Sequence, residues 1–169
     1  EIISKRARLE FSNFIDLLIK KGIRVLEFSD NLNKNTPDSV FPNNWISTHS
    51  DGCVFLYPMF AVNRRRERRL DIVEFLQNNF HVDSVIDNAK SYEINNEYLE
   101  GTGSLVLDRI HKIAYACLSK RTNQKLFNNW CRKMSFQGVS FSAKDGGRDI
   151  YHTNVMMSIC THMVFICLD

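Results

Sequence analysis

The residues best suited to chemistry are a histidine and an amide in the segment I-Y-H-T-N-V-M-M, from Ile150 to Met157. We predict a β-strand from Tyr151 to Met157, in which alternate side chains share a face, so His152 and Asn154 should lie side by side. Two polar groups directed into an apolar layer need a polar partner or a ligand. A single histidine in an apolar strand is more often a hydrogen-bonded core residue than a catalyst, so other segments must decide the interpretation.

A second polar segment is F-P-N-N-W-I-S-T-H-S-D-G, which spans residues 41–52. Asn43, Asn44 and His49 are its candidates for contacts to a bound ligand. The alternatives are ordinary turn chemistry for the two asparagines and a loop hydrogen bond between His49 and Asp51.

Two further segments carry charged side chains. In L-E-G-T-G-S-L-V-L-D, residues 99–108, Glu100 precedes glycines that would permit a ligand to approach the backbone; a plain strand-end carboxylate is the alternative. The run from Arg64 to Arg69 is typical of a solvated helix start. Its functional interpretation is that one arginine, Arg64, binds the carboxylate of an amino acid through a bidentate pair of hydrogen bonds.

Composition excludes several classes of protein. The 44% hydrophobic and 24% charged residues are ordinary for one globular domain, and a net charge of +3 is too small to indicate a nucleic-acid partner. No apolar run approaches the roughly 20 residues that cross a bilayer. We therefore expect a cytoplasmic protein without a membrane or nucleic-acid partner. The chain stops at Asp169, directly after a strand-like run, so we also expect a fragment of a longer chain.

The five cysteines contain no C-x-x-C pair, so neither a disulfide framework nor a zinc site is indicated. They are predicted to be free thiols in a reducing compartment. Cys53, Cys117 and Cys167 lie in apolar runs and are expected to be buried and inert.

Helix and strand patterns alternate with a period of about 50 to 60 residues, which favours a repeated α/β unit over one doubly wound sheet. Three helices are expected. The first spans residues 5–21 and ends at Gly22. The second follows Asn63 and has an apolar stripe at Leu70, Val73, Leu76 and Phe80, and the third follows a cap at Thr122 and has an inner face of Leu126, Phe127, Trp130 and Met134. Strands are expected at 23–28, 53–60, 84–86, 105–107, 113–118, 139–141, 151–157 and 163–168, with a turn at 144–148.

The segments F-P-N-N-W-x-S-x-H, E-G-T-G-S-L-V-L-D and Y-H-T-N-V-M, in this order, resemble the citrulline-hydrolase-like proteins of the amidinotransferase-like branch of the guanidino-group-modifying (pentein) superfamily. Arginine deiminases and dimethylarginine dimethylaminohydrolases are more distant relatives. The resemblance covers nearly the whole chain. It implies a five-bladed α/β propeller, the pentein fold, of which residues 1–169 would form one truncated domain of roughly three repeats with blades incomplete at both ends.

The resemblance also implies a chemistry that needs no metal or organic cofactor. A cysteine attacks the central carbon of a guanidinium or ureido group, a histidine is the general acid and base, and an acidic residue orients the histidine. By motif position His152 is the acid and base and Glu100 is the acidic residue. The residues implied to hold the substrate head group are Asn43, Asn44, His49 and Asn154. The implied nucleophile lies beyond Asp169, so these residues alone should be inactive; Cys160 is the weaker alternative.

Departures from the family pattern bear on the substrate. Asn154, Ser104 and, approximately, His49 stand where the arginine-using relatives carry carboxylates. A guanidinium presents only donors, whereas an amide and an imidazole suit a neutral ureido group that also carries a carbonyl. We therefore favour a citrulline-like small-molecule substrate. Arginine or dimethylarginine deimination, amidino transfer and a non-catalytic amino-acid-binding propeller remain alternatives, and homo-oligomer formation is left open.

Overall fold

The computed structural model describes residues 2–30, 35–39 and 44–168, and its contacts divide the chain into two units, Glu1–Asp30 and Asn31–Asp169. In the first unit helix α1 spans Ile2–Lys20, and Gly22 follows it at φ +79°. The predicted helix and its glycine stop are confirmed. The strand predicted at residues 23–28 is wrong, because the described part of this unit holds no second strand to pair with it.

The second unit repeats one arrangement of elements. Its described elements, in chain order, are β1 (Ile46–Thr48), β2 (Cys53–Leu56), α2 (Val62–Arg65), α3 (Leu70–Asn79), β3 (Ser84–Asp87), α4 (Ala89–Ile94), α5 (Gly101–Ser104), β4 (Val106–Asp108), β5 (Ile113–Cys117), α6 (Gln124–Met134), β6 (Gln137–Phe141), β7 (Lys144–Asp145), β8 (Arg148–Asp149), a 3₁₀-helix (Thr153–Val155), β9 (Met157–Ile159) and β10 (Val164–Ile166).

Strand pairing defines the repeat. An antiparallel hairpin is followed by helix and then by a strand parallel to the hairpin's second strand, giving the sheets β1-β2-β3 and β4-β5-β6. The antiparallel pair β9-β10 has the form of the same hairpin a third time. The first strands of the three hairpins begin at Ile46, Val106 and Met157, which agrees with the predicted period of about 50 to 60 residues. The α/β class and the repeated unit are therefore confirmed.

Strand β2 lies between two apolar layers, because all four of its residues are buried. Cys53 and Phe55 pack into a cluster with the inner face of α6, while Val54 and Leu56 pack with Trp45, Met59 and Val73. An apolar run without alternation is what a strand covered on both faces requires.

Helix α6 begins one residue later than the sequence pattern predicts. The cap is Asn123, whose side-chain oxygen accepts the Leu126 N–H at 3.1 Å, and the Thr122 hydroxyl donates to Ser104 Oγ at 2.7 Å instead. The predicted inner face is confirmed. Its buried residues are Leu126, Phe127, Trp130 and Met134, together with Cys131.

Only Arg64 and Arg65 of the arginine-rich segment are helical, in the short helix α2 that already begins at Val62, and the longer helix α3 begins at Leu70. Of the predicted stripe, Val73 is buried, whereas Leu70 is 69% and Phe80 41% exposed. The predicted hairpin is confirmed, because β4 pairs with β5, and the predicted turn at 144–148 is also confirmed, since Gly146 has a positive φ there. The two short strands that flank this turn, β7 and β8, were not predicted.

The strand predicted from Tyr151 to Met157 is wrong. Residues 150–152 are irregular and Thr153–Val155 form a 3₁₀-helix, so β9 begins only at Met157. The polar side chains in this segment form local and tertiary hydrogen bonds, which compete with the backbone hydrogen bonds of a strand. His152 is consequently buried and Asn154 exposed, and the expectation that they share a face does not hold.

All five cysteines are free, as predicted. Cys53 and Cys117 are buried as expected, but Cys167 is exposed beside the two-stranded β9-β10 hairpin. No helix among the described residues is long and apolar enough to span a membrane.

The cap of α6 yields a test of the fold. Asn123→Ala removes the acceptor for the Leu126 N–H, so the free energy of unfolding of the full-length protein should fall by about 1 kcal/mol. Urea denaturation measures the loss, and Asn128→Ala, an exposed position on the same helix, is the matched control. Equal losses in the two variants would contradict the assignment of the cap.

Candidate active site

The candidate residues occupy equivalent places in successive repeats. Asn44 precedes β1, Glu100 precedes β4 and His152 precedes β9. Helix α5, which follows Glu100, contacts both β1 and the 3₁₀-helix after His152. The repeat therefore brings together three segments that are far apart in the sequence.

Glu100 and His152 form a buried hydrogen-bonded pair. Glu100 Oε2 lies 2.6 Å from His152 Nε2, and the two side chains are 0% and 7% exposed. The other carboxylate oxygen, Oε1, accepts the Phe60 backbone N–H at 2.8 Å. Arg121 Nη1 adds an ion pair to Oε2 at 3.3 Å.

These donors decide the charge of Glu100. Burial alone would raise the pKa of the carboxyl group, but the hydrogen bonds from His152 and the Phe60 N–H, with the charges of His152 and Arg121, lower it below the ordinary value of 4.5. Glu100 is therefore an anion at neutral pH and can only accept hydrogen bonds. His152 Nε2 must then carry the hydrogen of the short contact, and Nδ1 is the ring nitrogen that can exchange a proton elsewhere.

Gly103 and Asn44 border the Nδ1 side of the imidazole. A Cβ at Gly103 would lie 2.7 Å from both Nδ1 and Cε1 of His152 and 2.9 Å from Asn44 Nδ2. Asn44 is buried, and its Oδ1 accepts from Thr102 Oγ1 at 3.1 Å. The imidazole and the amide N–H₂ group therefore both pack against the backbone of Gly103, at an approach that a side chain at position 103 would prevent.

Arg121 is a site residue that the sequence did not single out. Its guanidinium lies over the rings of Phe60 and Tyr151, at 5.7 Å and 5.3 Å from the ring centroids, and its side chain is 31% exposed. It thus offers a positive charge at the accessible side of the buried pair. The only sequence signal was the arginine in S-K-R-T-N, and nothing in its distance from Glu100 along the chain indicates the contact.

His49 lies apart from the Glu100–His152 pair in its recorded contacts. Its Nε2 is 2.8 Å from Ser47 Oγ, its ring packs 5.9 Å from that of Trp130, and Arg109 Nη1 lies 3.5 Å from Nδ1. It borders a cavity of about 80 Å³ that is also lined by Arg109 and Lys112. Burial, reinforced by Arg109, lowers the pKa of His49 to about 4. The structure gives His49 a hydrogen-bonding role on the far end of β1, and its substrate contact stays a prediction.

The other predicted substrate residues are placed less centrally than Asn44. Asn154 is exposed on the 3₁₀-helix, and Arg64 is largely buried with its Nε 2.9 Å from Glu67 Oε2. Asn43 lies outside the described residues. The structure therefore brings together Glu100, His152 and Asn44, and the roles of all these residues remain predictions.

No described cysteine is recorded in contact with His152. Cys117 lies in β5 with its Sγ 3.6 Å from the carbonyl oxygen of Ile150, and burial raises the pKa of its thiol. Cys160 is exposed at the turn between β9 and β10, and its backbone N–H bonds the Met163 carbonyl at 2.8 Å.

The fold is thus a repeated ββαβ unit of the α/β class, with a buried glutamate–histidine pair between repeats. The family model described as N,N dimethylarginine dimethylhydrolase, eukaryotic, matches residues 1–169, and the chain belongs to that family within the pentein superfamily. No curated protein sequence matches the chain significantly.

Solved structures share the fold at low sequence identity. The substrate-bound N-terminal domain of ArgZ, a cyanobacterial arginine dihydrolase, superimposes with a TM-score of 0.70 at 17% identity over 95% of this chain and 54% of that one. A dimethylarginine dimethylaminohydrolase adduct with 4-chloro-2-hydroxymethylpyridine gives 0.70 at 17% identity over 96% and 60%. An ArgZ N-terminal domain covalently bound to a reaction intermediate gives 0.67 at 18% over 90% and 51%. The chain spans little more than half the length of these proteins.

Gly103→Ala tests the close approach at the site. The added methyl group would lie 2.7 Å from the imidazole, so His152 should move and its contact with Glu100 should lengthen. The imidazole NMR resonances of His152 in the full-length protein report this change. Gly147→Ala adds a methyl group that meets no atom within 4 Å; its φ of +78° strains the exposed turn after β7 and not the contact with His152, so those resonances should stay in place. Unchanged His152 resonances in Gly103→Ala would contradict the geometry.

The buried environment of His49 predicts a pH-dependent stability. Its pKa is about 4 when folded and 6.5 in the reference state, so between these values the unfolded chain binds more protons. Stability should therefore fall as the pH is lowered from 6.5 towards 4, by less than the full free energy of the pKa shift because His49 is only partly buried.

Urea unfolding of the full-length protein at pH 7, 5.5 and 4.5 measures this dependence. His49→Gln should flatten it, whereas His162→Gln, at an exposed position, should retain it. The prediction fails if the two variants show the same pH dependence.

Proposed function

We propose that the protein is a thiol-dependent hydrolase that cleaves a C–N bond of a guanidino or ureido amino acid, with a citrulline-like substrate favoured. The observation that carries this proposal is the ionised, fully buried Glu100, which holds His152 by Nε2 and leaves Nδ1 beside the Asn44 amide. Membership of the N,N dimethylarginine dimethylhydrolase family supports the reaction class. The five-bladed propeller belongs to the same proposal and is supported by the repeat of ββαβ units.

The proposed chemistry has two steps. A thiolate adds to the central carbon of the substrate, and the C–N bond breaks as His152 Nδ1–H protonates the leaving nitrogen, which leaves a covalent thioester-like or thiouronium adduct. Water then attacks the same carbon and gives a proton to Nδ1, and the C–S bond breaks, which releases the hydrolysed product and regenerates the thiolate and Nδ1–H. Glu100 is proposed to keep the ring oriented through both steps, since its Oε2 lies 2.6 Å from Nε2 and accepts the Nε2–H.

The thiol is proposed to come from outside these residues. No described cysteine is hydrogen-bonded to the His152 ring, and the burial that raises the pKa of Cys117 disfavours its thiolate. Coverage of only 54% and 60% of the similar structures leaves room for such a residue. The adducts on a dimethylarginine dimethylaminohydrolase and on ArgZ support covalent chemistry in this fold.

The preference for a ureido group rests on Asn44. Its buried amide Nδ2 faces the His152 side and can donate to a carbonyl oxygen, which citrulline has and a guanidinium lacks. Among the described residues, Glu100 is the acidic side chain recorded in contact with His152, and its two oxygens already accept three donors. A cationic head group would need a further carboxylate.

Arg121 is proposed to bind the carboxylate of the amino-acid substrate. Both arginines are ion-paired, but the side chain of Arg121 is 31% exposed, whereas that of Arg64, which the sequence favoured, is 12% exposed. Arginine binds carboxylates through two parallel hydrogen bonds, so this contact would also fix the orientation of the substrate.

A second candidate is a non-catalytic amino-acid-binding protein that keeps the pocket without a nucleophile. The observation that favours it is that no described cysteine lies at His152. The free thiols are compatible with a reducing compartment, and we propose the cytoplasm for either function.

Turnover by the full-length protein distinguishes these functions. Incubation with citrulline should release ornithine, ammonia and carbon dioxide faster than arginine or dimethylarginine releases citrulline, and mass spectrometry should detect a cysteine adduct. Faster turnover of arginine or dimethylarginine would overturn the substrate preference. Binding of citrulline without turnover of any of the three compounds would favour the binding protein.

Glu100→Gln should lower kcat by about 10²–10⁴-fold, because a neutral amide binds the His152 ring more weakly than the Glu100 carboxylate does. Glu97→Gln is the matched control, since Glu97 is three residues away and lies 3.7 Å from the exposed Lys125. Comparable kcat values in the two variants would remove Glu100 from the catalytic machinery.

A further inference from the structure

Three buried hydroxyl groups lie directly behind the Glu100–His152 pair. Ser104, Thr122 and Thr153 are 0%, 2% and 0% exposed, and we refer to them as the hydroxyl cluster. Each adjoins a segment that carries a charged or titratable site residue. Ser104 follows Glu100 in α5, Thr122 follows Arg121, and Thr153 follows His152.

The Ser104 hydroxyl uses its full hydrogen-bonding capacity within the protein. Its Oγ accepts the Glu100 backbone N–H at 2.9 Å and the Thr122 hydroxyl at 2.7 Å, and it donates to the Arg121 carbonyl at 3.1 Å. A hydroxyl has one donor and two acceptor sites, so no site is left for a substrate. Ser104 therefore joins the backbones of Glu100 and Arg121 and does not contact a head group.

Thr153 extends these connections to the histidine segment. Its hydroxyl donates to the Ser104 carbonyl at 2.6 Å and accepts the Cys117 backbone N–H at 2.7 Å. The residue next to His152 is thus held between α5 and β5. Each hydroxyl in this series of hydrogen bonds has a fixed donor direction. The position of His152 is therefore coupled to the positions of Glu100 and Arg121.

We propose that the hydroxyl cluster is a set of positioning residues that holds His152 at hydrogen-bond distance from Glu100 and sets Arg121 beside them. Its effect on turnover rests on the proposed function, whereas its effect on the geometry of the pair does not. Loss of the Thr153 hydroxyl leaves a buried N–H and a buried C=O without partners, so the segment of His152 must shift to satisfy them.

Thr153→Val and Thr153→Ser form the matched test in the full-length protein. Valine keeps the shape and loses both hydrogen bonds, whereas serine keeps the hydroxyl. We expect Thr153→Val to lower kcat by about 10- to 100-fold with little change in KM and with a displaced pH profile, since a small misplacement of a catalytic group is costly. Thr153→Ser should restore kcat and the pH profile to near the wild-type values.

The second readout is independent of activity. The imidazole resonances of His152, assigned by their loss in His152→Asn, should move in Thr153→Val and stay in place in Thr153→Ser. If no guanidino or ureido compound is turned over but this NMR pattern is found, the proposed function fails and the positioning role stands.

Two results would overturn the positioning role. One is Thr153→Val with lowered unfolding stability but wild-type kcat per folded molecule and wild-type His152 resonances, which is the outcome for a purely structural threonine. The other is Thr153→Ser as impaired as Thr153→Val in kcat and resonances, which would assign the effect to packing of the methyl group.

Discussion

An ionised carboxylate without exposed surface is the constraint on which the rest of the site depends. A buried charge costs several kcal/mol unless donors replace its lost water. Glu100 receives those donors from three separate segments: His152, the Phe60 backbone and Arg121. The segments must meet at one point for the carboxylate to stay charged, so the same contacts that stabilise Glu100 also assemble the site.

The glycines of E-G-T-G-S act within this assembly. They were expected to let a ligand approach the backbone, but the structure shows close approach by protein atoms. A Cβ at Gly101 would lie 2.5 Å from the Asn44 carbonyl oxygen, and Gly101 has a φ of +34°. Gly103 admits the His152 ring in the same way. The motif therefore lets neighbouring repeats pack closely enough for their polar side chains to meet.

The repeat could be predicted from the sequence because it depends on local patterns. Apolar periodicity located α6, the β4-β5 hairpin and the spacing of the repeats. The segment around His152 could not be predicted in this way, since Thr153 is held by hydrogen bonds to Ser104 and Cys117, which are distant in sequence. The ion pair of Arg121 with Glu100 could not be predicted either, because it also joins residues that are distant in sequence. Motif order indicated Glu100, His152 and Asn44, but a strand assumed for His152 placed Asn154 on the wrong side.

The repeat also restricts where a further catalytic group can arise. Asn44, Glu100 and His152 lie two, six and five residues before the first strand of a ββ hairpin, so the segment that leads into the hairpin contributes to the site in each repeat. The described cysteines occupy other places. Cys53 and Cys117 lie in second strands, Cys131 in α6, Cys160 in a hairpin turn and Cys167 after β10. Under the proposed function, a thiol that reaches His152 Nδ1 would therefore come from the segment before the first strand of another repeat, because that is the position from which side chains converge.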